Sequence, residues 1–411
     1  MSLVEKYCRT DFGSYKEFYN NFKIDVPENF NFGFDIVDET ARLTPDKTAL
    51  VWCDDTEEHD KIFTFSDISK LSNKAANFFK AQGVKKGDPV MLILKRNYQF
   101  WYIMPALHKI GAIAIPATYL LTKKDIVYRD NAASVKAIVA TNDENVLAHV
   151  EASVDDSPTL EKLIMTNGRR EGWISFDEEI EKYPDTFERP EGEEATSNDD
   201  IMLMYFTSGT TGNPKMAAHN FTYPLGHIIT ARFWHDLRDT DLHISVADTG
   251  WAKCAWGKLY GQWICGAALF VYDMEKFVPI KLLEKISKHK VTSFCAPPTI
   301  YRFMMQEDIT KFDLSSLRSC CLAGEPLSPD IYNKFKEITG ISMREGFGQS
   351  ETVVALANFP WMTPKPGSMG KPSPGLGVDI IKENGESCVA GEEGEIVFRA
   401  ESGQYPGLFV K

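Results

Sequence analysis

No Cys-x-x-Cys pair occurs anywhere in the 411 residues. The eight cysteines, Cys8, Cys53, Cys254, Cys265, Cys295, Cys320, Cys321 and Cys388, are scattered, and most stand in apolar runs. That spacing argues against a zinc centre and reads as reduced core thiols of a cytoplasmic protein. The N-terminus, Met1 to Tyr7, has no apolar core of the kind a secretory leader carries. No apolar run is clean enough to span a membrane. The nearest, Trp101 to Leu121, is broken by His108, Lys109, Gly111 and Pro116, and reads as a helix followed by a buried strand. Positive charge is in deficit. The 45 Lys and Arg against 58 Asp and Glu leave a net charge of −13. A nucleic-acid partner is therefore not expected, because neutralising its phosphates takes clustered cations. There is no internal repeat, and no Ser-His-Asp or Cys-His set that would signal a nucleophilic side chain.

What is present is alternation. Thr48 to Trp52 and Ile62 to Phe65 read as paired strands. Ser66 to Gln82 reads as an amphipathic helix, with Ser66 placed to cap it. Pro89 to Leu94 is a continuous apolar run, the pattern of a strand covered on both faces. Helix Tyr98 to Lys109, strand Ala112 to Pro116, helix Lys123 to Asn131 and strand Val135 to Ala140 follow. Further on, Leu242 to Ala247, Phe270 to Tyr272, Val291 to Ala296, Leu317 to Leu322 and Ser342 to Phe347 read as strands. The chain is long enough for two or three packed subdomains. The expected fold is α/β: two helix-wrapped, mostly parallel sheets plus a small β-barrel-like subdomain. Residues 1–190 form the first α/β subdomain, 191–362 the second, and 363–411 an incomplete β-rich piece. Asp177 to Asp200, rich in Glu with Pro184 and Pro190, reads as a solvated, partly flexible approach to the second unit.

One stretch organises the rest. Tyr205 to Lys215 reads Tyr-Phe-Thr-Ser-Gly-Thr-Thr-Gly-Asn-Pro-Lys. It follows the apolar strand Ile201 to Met204 and precedes Asn220 to Trp234, which reads as a helix. Gly209 and Gly212 let backbone N–H groups turn inward around an anion. Thr207, Ser208, Thr210 and Thr211 offer hydroxyls, and Lys215 offers a charge. This is a loop for phosphates. It is not a Walker A loop, because Lys215 follows Pro214 and precedes Met216 rather than standing in a Gly-Lys-Ser/Thr triplet.

Three more strings stand out. Arg344 to Thr352 reads Arg-Glu-Gly-Phe-Gly-Gln-Ser-Glu-Thr. Ala323-Gly324-Glu325-Pro326-Leu327 ends an expected strand, where α/β sheets place ligands, although a plain strand-to-helix turn with Pro329 opening the next helix has the same look. Asp248 to Lys253 reads Asp-Thr-Gly-Trp-Ala-Lys, with Trp256 one helical turn on. His219, His227, His235 and His243 have mixed spacings and no carboxylate pattern, so they read as surface or helix-face residues.

In this order the four strings resemble the adenylate-forming superfamily of acyl-CoA synthetases, luciferases and peptide-synthetase adenylation domains. Ala296 to Arg302 and Lys365 to Pro372 resemble medium-chain and branched-chain acyl-CoA synthetases in particular. The resemblance covers nearly the whole chain. It implies that Thr207, Ser208, Gly209, Thr210, Thr211, Gly212 and Lys215 hold the β- and γ-phosphates of ATP. It gives Gly324, Glu325 and Pro326 to the wall around adenine. Glu345, Gly346, Phe347, Gly348, Gln349 and Ser350 belong to the nucleotide site as well. Phe347, where the family usually has Tyr, stacks on the base, and Ser350, where Thr is usual, reaches the α-phosphate. Glu351 is the Mg²⁺ ligand. Thr207, Lys215 and Glu351 are the expected catalytic set.

The resemblance also gives the acyl pocket to Trp251, Ala252, Lys253, Trp256, Ala323 and Gly348. Acetate-specific members carry Trp where Gly348 stands, so an open floor and an acyl group larger than acetyl are expected. Lys253 meets a carboxylate or stays at the rim, and core packing is the rival role for Trp251 and Trp256. The implied partners are a carboxylic acid, ATP and coenzyme A, and a homo-oligomer is compatible with them. Family members continue with a Gly-Asp motif, a hinge and a lid carrying a lysine. The chain ends at Lys411 without them, so impaired adenylation is expected of it alone. The alternatives are a ligase that passes its acyl group to a carrier protein, and a nucleotide- or acyl-binding module without catalysis.

Overall fold

In a computed structural model of the chain, residues 3–56, 60–208, 212–399 and 405–411 are described. Two large sheets lie against a shared helical core. The first runs, edge to edge, Lys371–Pro372, Leu356–Ala357, Arg344–Phe347, Ser319–Ala323, Ser293–Ala296, Leu242–Ser245, Ala268–Asp273, Thr48–Asp54 and Lys61–Thr64. Its inner pairings are parallel, and antiparallel strands close both edges. The second runs Ile174–Ser175, Lys162–Thr166, Ala137–Thr141, Pro89–Ile93, Ile113–Pro116, Ile201–Thr207 and Lys215–Asn220. All of its pairings are parallel except the last.

Why these runs form covered strands is visible in their alternation. Leu50 and Trp52 face the core shared by the two sheets, while Val51 and Cys53 face an outer cluster with Phe270, Leu282 and Ile286. Val90 and Leu92 likewise face inward, and Met91 and Ile93 face the other outer cluster. Successive side chains point to opposite faces, so a strand covered on both sides must be apolar throughout. The apolar stretch from Trp101 becomes the fully buried helix Phe100–Lys109 and the strand Ile113–Pro116. Among the described residues no helix is long and apolar enough to cross a membrane.

The sheets do not divide where residue 190 does. Thr48–Asp54 and Lys61–Thr64 belong to the sheet of the later strands, and Ile201–Thr207 and Lys215–Asn220 join the earlier ones. Strand pairing follows edge availability rather than chain order. The small β-rich unit expected from residue 363 is, among the described residues, a two-stranded antiparallel sheet, Val378–Ile381 with Glu395–Phe398, and not a barrel. The helix Phe65–Ala81 is capped by Thr64, two residues earlier than Ser66 implies. Thr64 accepts from the Asp67 N–H at 3.1 Å and Asp67 accepts from the Thr64 N–H at 2.8 Å, a reciprocal capping box. The acidic stretch is laid along this helix by Lys74–Glu181 and Lys80–Glu194 ion pairs of 2.6 and 2.7 Å.

Candidate active site

The phosphate loop is the turn of a β-hairpin, not a strand-to-helix loop. Thr207 pairs with Lys215 and Tyr205 with Ala217. The helix begins only at Tyr223, after the returning strand has satisfied the backbone groups of Lys215–Asn220. Gly209, Thr210 and Thr211 lie outside the described residues. Gly212 has φ +98°, and a Cβ there would meet nothing within 4 Å, so backbone conformation and not crowding requires glycine. Ser208 and Lys215 are exposed at the neck of the hairpin. The base of the turn is fixed from outside: the Tyr128 hydroxyl donates to Pro214 O at 2.8 Å, and the Arg129 guanidinium lies over the Phe206 ring.

The returning strand reaches the second string. His219 Nε2 donates to Ser350 O at 2.8 Å. Phe409 N–H donates to Glu351 O at 2.9 Å, and Val410 and Lys411 exchange hydrogen bonds with Ala218. The phosphate hairpin and the Gly348-Gln349-Ser350-Glu351 turn are thereby held side by side, although 131 residues separate His219 from Ser350. Gln349 is exposed, Phe347, Gly348, Ser350 and Glu351 are half-buried, and Glu345 and Gly346 are buried. Burial raises the Glu345 carboxyl above its ordinary range. Thr352 closes the turn by accepting from Gln349 N–H at 3.0 Å. Gly346 is glycine because the Trp234 indole covers it, 2.6 Å from where a Cβ would stand.

Ala323 and Gly346 are register partners, so the third string ends a strand parallel to the second. Gly324 has φ +107° and faces open space. The Glu325 carboxylate accepts from the Thr299 hydroxyl at 2.7 Å and pairs with Arg302. That side chain is committed to helix Pro298–Met304, and only the backbone of Gly324 to Pro326 remains to wall a ligand. Pro329 stands at the first position of helix Pro329–Thr339, as the plain turn reading requires, and Ser328 caps it.

Beyond the carboxyl ends of these two strands lies a cavity of about 230 Å³. Its wall is Trp251, Ala252, Lys253, Trp256, Ala323, Gly324, Gly348, Gln349 and Ser350, which brings all six expected pocket residues together. Two details differ from expectation. Trp251 is 60% exposed and forms the rim. Gly348 does not leave the floor open: an added Cβ would stand 2.0 Å from Trp256 Cη2 and 2.5 Å from Val353 O. The indole closes the cavity from helix Ala252–Lys258. A wider groove of about 920 Å³ lies between residues 24–29 and 189–196, but it contains none of the four strings.

Lysines separate structure from site. Lys109 is buried and its ammonium meets Asp38, Ser72 and Asn73 at 2.7, 2.9 and 2.6 Å, so its three donors are used. Lys253 donates to Ala323 O at 2.7 Å beside the cavity, and burial pulls its pKa below the ordinary value. The histidines are core residues, not surface ones. His219, His227, His235 and His243 are all fully buried. Burial pushes His219 down to about 4 and His243 to about 3, so both are neutral near pH 7. His219, Tyr223 and His227 form a ring column behind Trp256, with centroids 3.9 and 4.6 Å apart. The i, i+4, i+8 spacing of His219, Tyr223 and His227 is the local signal for this column, with Tyr223 and His227 on one helix, whereas Trp256 comes from a separate element.

The family of AMP-binding enzymes matches residues 37–407. This chain belongs to that family. It is 38% identical over 408 residues to human acyl-coenzyme A synthetase ACSM3, mitochondrial, covering 97% of this chain and 68% of the relative. Human ACSM4, mitochondrial, is 37% identical over 391 residues, covering 93% and 66%. The crystal structure of the anthranilate CoA ligase AuaEII in complex with anthranoyl-AMP superposes with a TM-score of 0.84 at 28% identity, covering 92% of this chain and 71% of that one. The Brucella canis acyl-CoA synthetase has the same fold, with a TM-score of 0.84 at 22% identity over 94% of this chain and 72% of that one.

Proposed function

We propose that this AMP-forming acid–CoA ligase activates a short or branched carboxylic acid with ATP, and then forms the coenzyme A thioester. The observation that carries the reading is the juxtaposition. The hydroxyl- and lysine-bearing hairpin is tied through His219 to the Ser350–Glu351 turn, and that turn also lines the cavity. An acid in the cavity then lies next to a nucleotide whose phosphates meet the hairpin.

In the first half, a carboxylate oxygen attacks the α-phosphorus and pyrophosphate leaves. Both reactants are anionic, so the work is positioning and charge neutralisation. Lys215 and the Thr207 and Ser208 hydroxyls hold the leaving phosphates. Phe347 stacks on the base and the backbone of Gly324 to Pro326 walls it. Lys253, anchored on Ala323 O, presents its remaining N–H groups to the cavity. In the second half, the coenzyme A sulfur attacks the acyl carbonyl and AMP leaves.

The donors at the turn are hard oxygens, the Glu351 carboxylate among them, and His219 commits its Nε2 to Ser350. That set suits Mg²⁺, which would neutralise phosphate charge when bound. Glu351 would hold it.

A cavity of about 230 Å³ closed by Trp256 suits acids of a few carbons more than acetate and excludes long straight chains. The neighbour that holds anthranoyl-AMP makes a planar aromatic acid the other class to include. Acid-dependent ATP–pyrophosphate exchange over acetate, short straight, branched, medium-chain and aromatic acids tests this, with coenzyme A-dependent AMP release read alongside. Exchange with no acid at all would sink the reading. Exchange without coenzyme A-dependent turnover would favour transfer to a carrier protein.

A further inference from the structure

The hairpin at the far edge of the nine-stranded sheet carries chemistry that acid activation does not use. Cys53 lies on strand Thr48–Asp54 and faces the outer cluster. Asp60 immediately precedes the returning strand Lys61–Thr64, and His289 caps the C-terminus of helix Pro279–Lys288. One thiol sulfur, one carboxylate oxygen and one imidazole nitrogen from these three residues lie within 4.8 Å of one another. No two of the three come from one element, which is why a search for Cys-x-x-Cys spacing finds nothing.

The imidazole is set up as a ligand. Its Nε2 is buried and has no hydrogen-bond partner, and it stands 3.5 Å from Asp60 Oδ2. A buried ring nitrogen left unsatisfied costs roughly 1–3 kcal/mol, which a bound cation would remove. The Phe270 ring, 4.7 Å from the imidazole centroid, holds the ring in place. The Cys53 thiol is fully buried, and burial pushes it up to about 12 against the pull of Lys285 and Lys288.

We propose that Cys53, Asp60 and His289 bind one zinc-class divalent cation, with water completing a tetrahedron. The donor set decides the class. Hard cations such as Mg²⁺ and Ca²⁺ take oxygen, whereas thiolate with imidazole selects zinc and its neighbours. Tetrahedral zinc brings neighbouring ligand atoms to about 3.5 Å. Asp60 Oδ2 and His289 Nε2 already have that separation, so the adjustment on binding falls between this pair and the Cys53 sulfur, which lies within 4.8 Å of both. The Lys288 ammonium sits 3.1 Å from Asp60 Oδ2 and would compete with a cation for that carboxylate. Lys288 is half-exposed and can swing into solvent when the cation enters. Bound metal would fasten the hairpin to the helix at the edge opposite the acid cavity.

The full chain, stripped with chelator, is titrated with Co²⁺ as a spectroscopic stand-in and then with Zn²⁺. The expected result is one equivalent bound, tetrahedral visible bands and a thiolate-to-cobalt charge-transfer band, all displaced by one equivalent of Zn²⁺. Cys53→Ala and His289→Gln lose the charge-transfer and tetrahedral bands. Asp60→Asn removes a direct ligand and weakens binding by more than the roughly 10–100-fold that loss of an outer-shell carboxylate costs. Lys288→Gln tightens it by removing the competitor. The Asp60→Asn/His289→Gln pair, at positions outside the deep core, guards against a variant that fails to fold. No one-equivalent site, or a charge-transfer band that survives in that pair, overturns the proposal. Pyrophosphate exchange remains at its unmodified rate in the pair, so this result stands or falls separately from the ligase reading.

Discussion

At Gly212 an added Cβ would meet nothing within 4 Å, yet φ is +98°. At Gly348 φ lies outside the left-handed region, yet an added Cβ would strike Trp256 at 2.0 Å and a backbone carbonyl at 2.5 Å. The first glycine serves the turn of a hairpin that we propose holds phosphates, and the second lets an indole close a cavity. The hairpin is local and open, so its chemistry is removable without loss of fold. The cavity is a joint between strands and a helix, so its chemistry and its packing are the same atoms.

The largest effect should come from the hairpin's charge. Lys215→Met removes an exposed cation placed for the leaving phosphates, and should lower kcat/KM for pyrophosphate exchange by about 10²–10³, the cost of losing one preorganised electrostatic contact. Its urea midpoint should stay unchanged, since the side chain is exposed. A large stability loss would break the contrast at its first term. Next comes Gly348→Ala. Val353 O cannot move away as a flexible side chain would, so overpacking should cost about 1–3 kcal/mol in urea unfolding. Exchange should fall with every acid alike. A midpoint equal to the unmodified chain would mean that Trp256 does not close the cavity.

The same division explains what the sequence made legible. The hairpin string, the Phe347–Glu351 turn and the Trp251–Trp256 segment are contiguous, and each was readable from residue types in order. Covered strands were readable too, because Pro89 to Leu94 must be apolar on both faces. The helix cap lies two residues before Ser66, since Ser66 and Thr64 are both good caps and only the Thr64–Asp67 reciprocity decides between them. What stayed hidden was pairing across distance. The exchange of sheet partners around residue 190, the Trp256 ring against Gly348, the Glu325–Arg302 pair and the His219–Ser350 tether each join separate elements. The buried histidines are legible only in part: His219, Tyr223 and His227 share a four-residue spacing, but the Trp256 and Ser350 that cover them come from far along the chain.

Gly212→Ala sharpens the contrast with a smaller effect. An L-residue held in the left-handed region costs about 1–2 kcal/mol, with no clash to add. Urea unfolding should therefore show a loss at the low end of the Gly348→Ala range. Exchange should fall through KM for ATP, with little change in the order of preferred acids. A reordering of acid preference would mean that the hairpin and the cavity are not separable.

The smallest effect near neutral pH tests the tether that joins the two regions. Ser350 O can only accept, so His219 Nε2 carries the proton and Nδ1 is the buried atom without a partner. Burial holds the folded pKa at about 4 against an ordinary 6.5. The unfolded chain takes up a proton as pH falls below 6.5 while the folded chain does not. Stability from this residue is thus complete above 6.5 and drains away as pH falls toward 4. In His219→Gln the amide still donates to Ser350, so exchange at pH 7.5 should barely change. The variant should lose less stability than the unmodified chain between pH 6.5 and 4. His108, His227, His235 and His243 are also depressed by burial and keep their own slopes in both proteins, so the difference between the two unfolding curves is the quantity that reports on His219. Identical slopes would mean that burial does not hold His219 neutral in the folded chain.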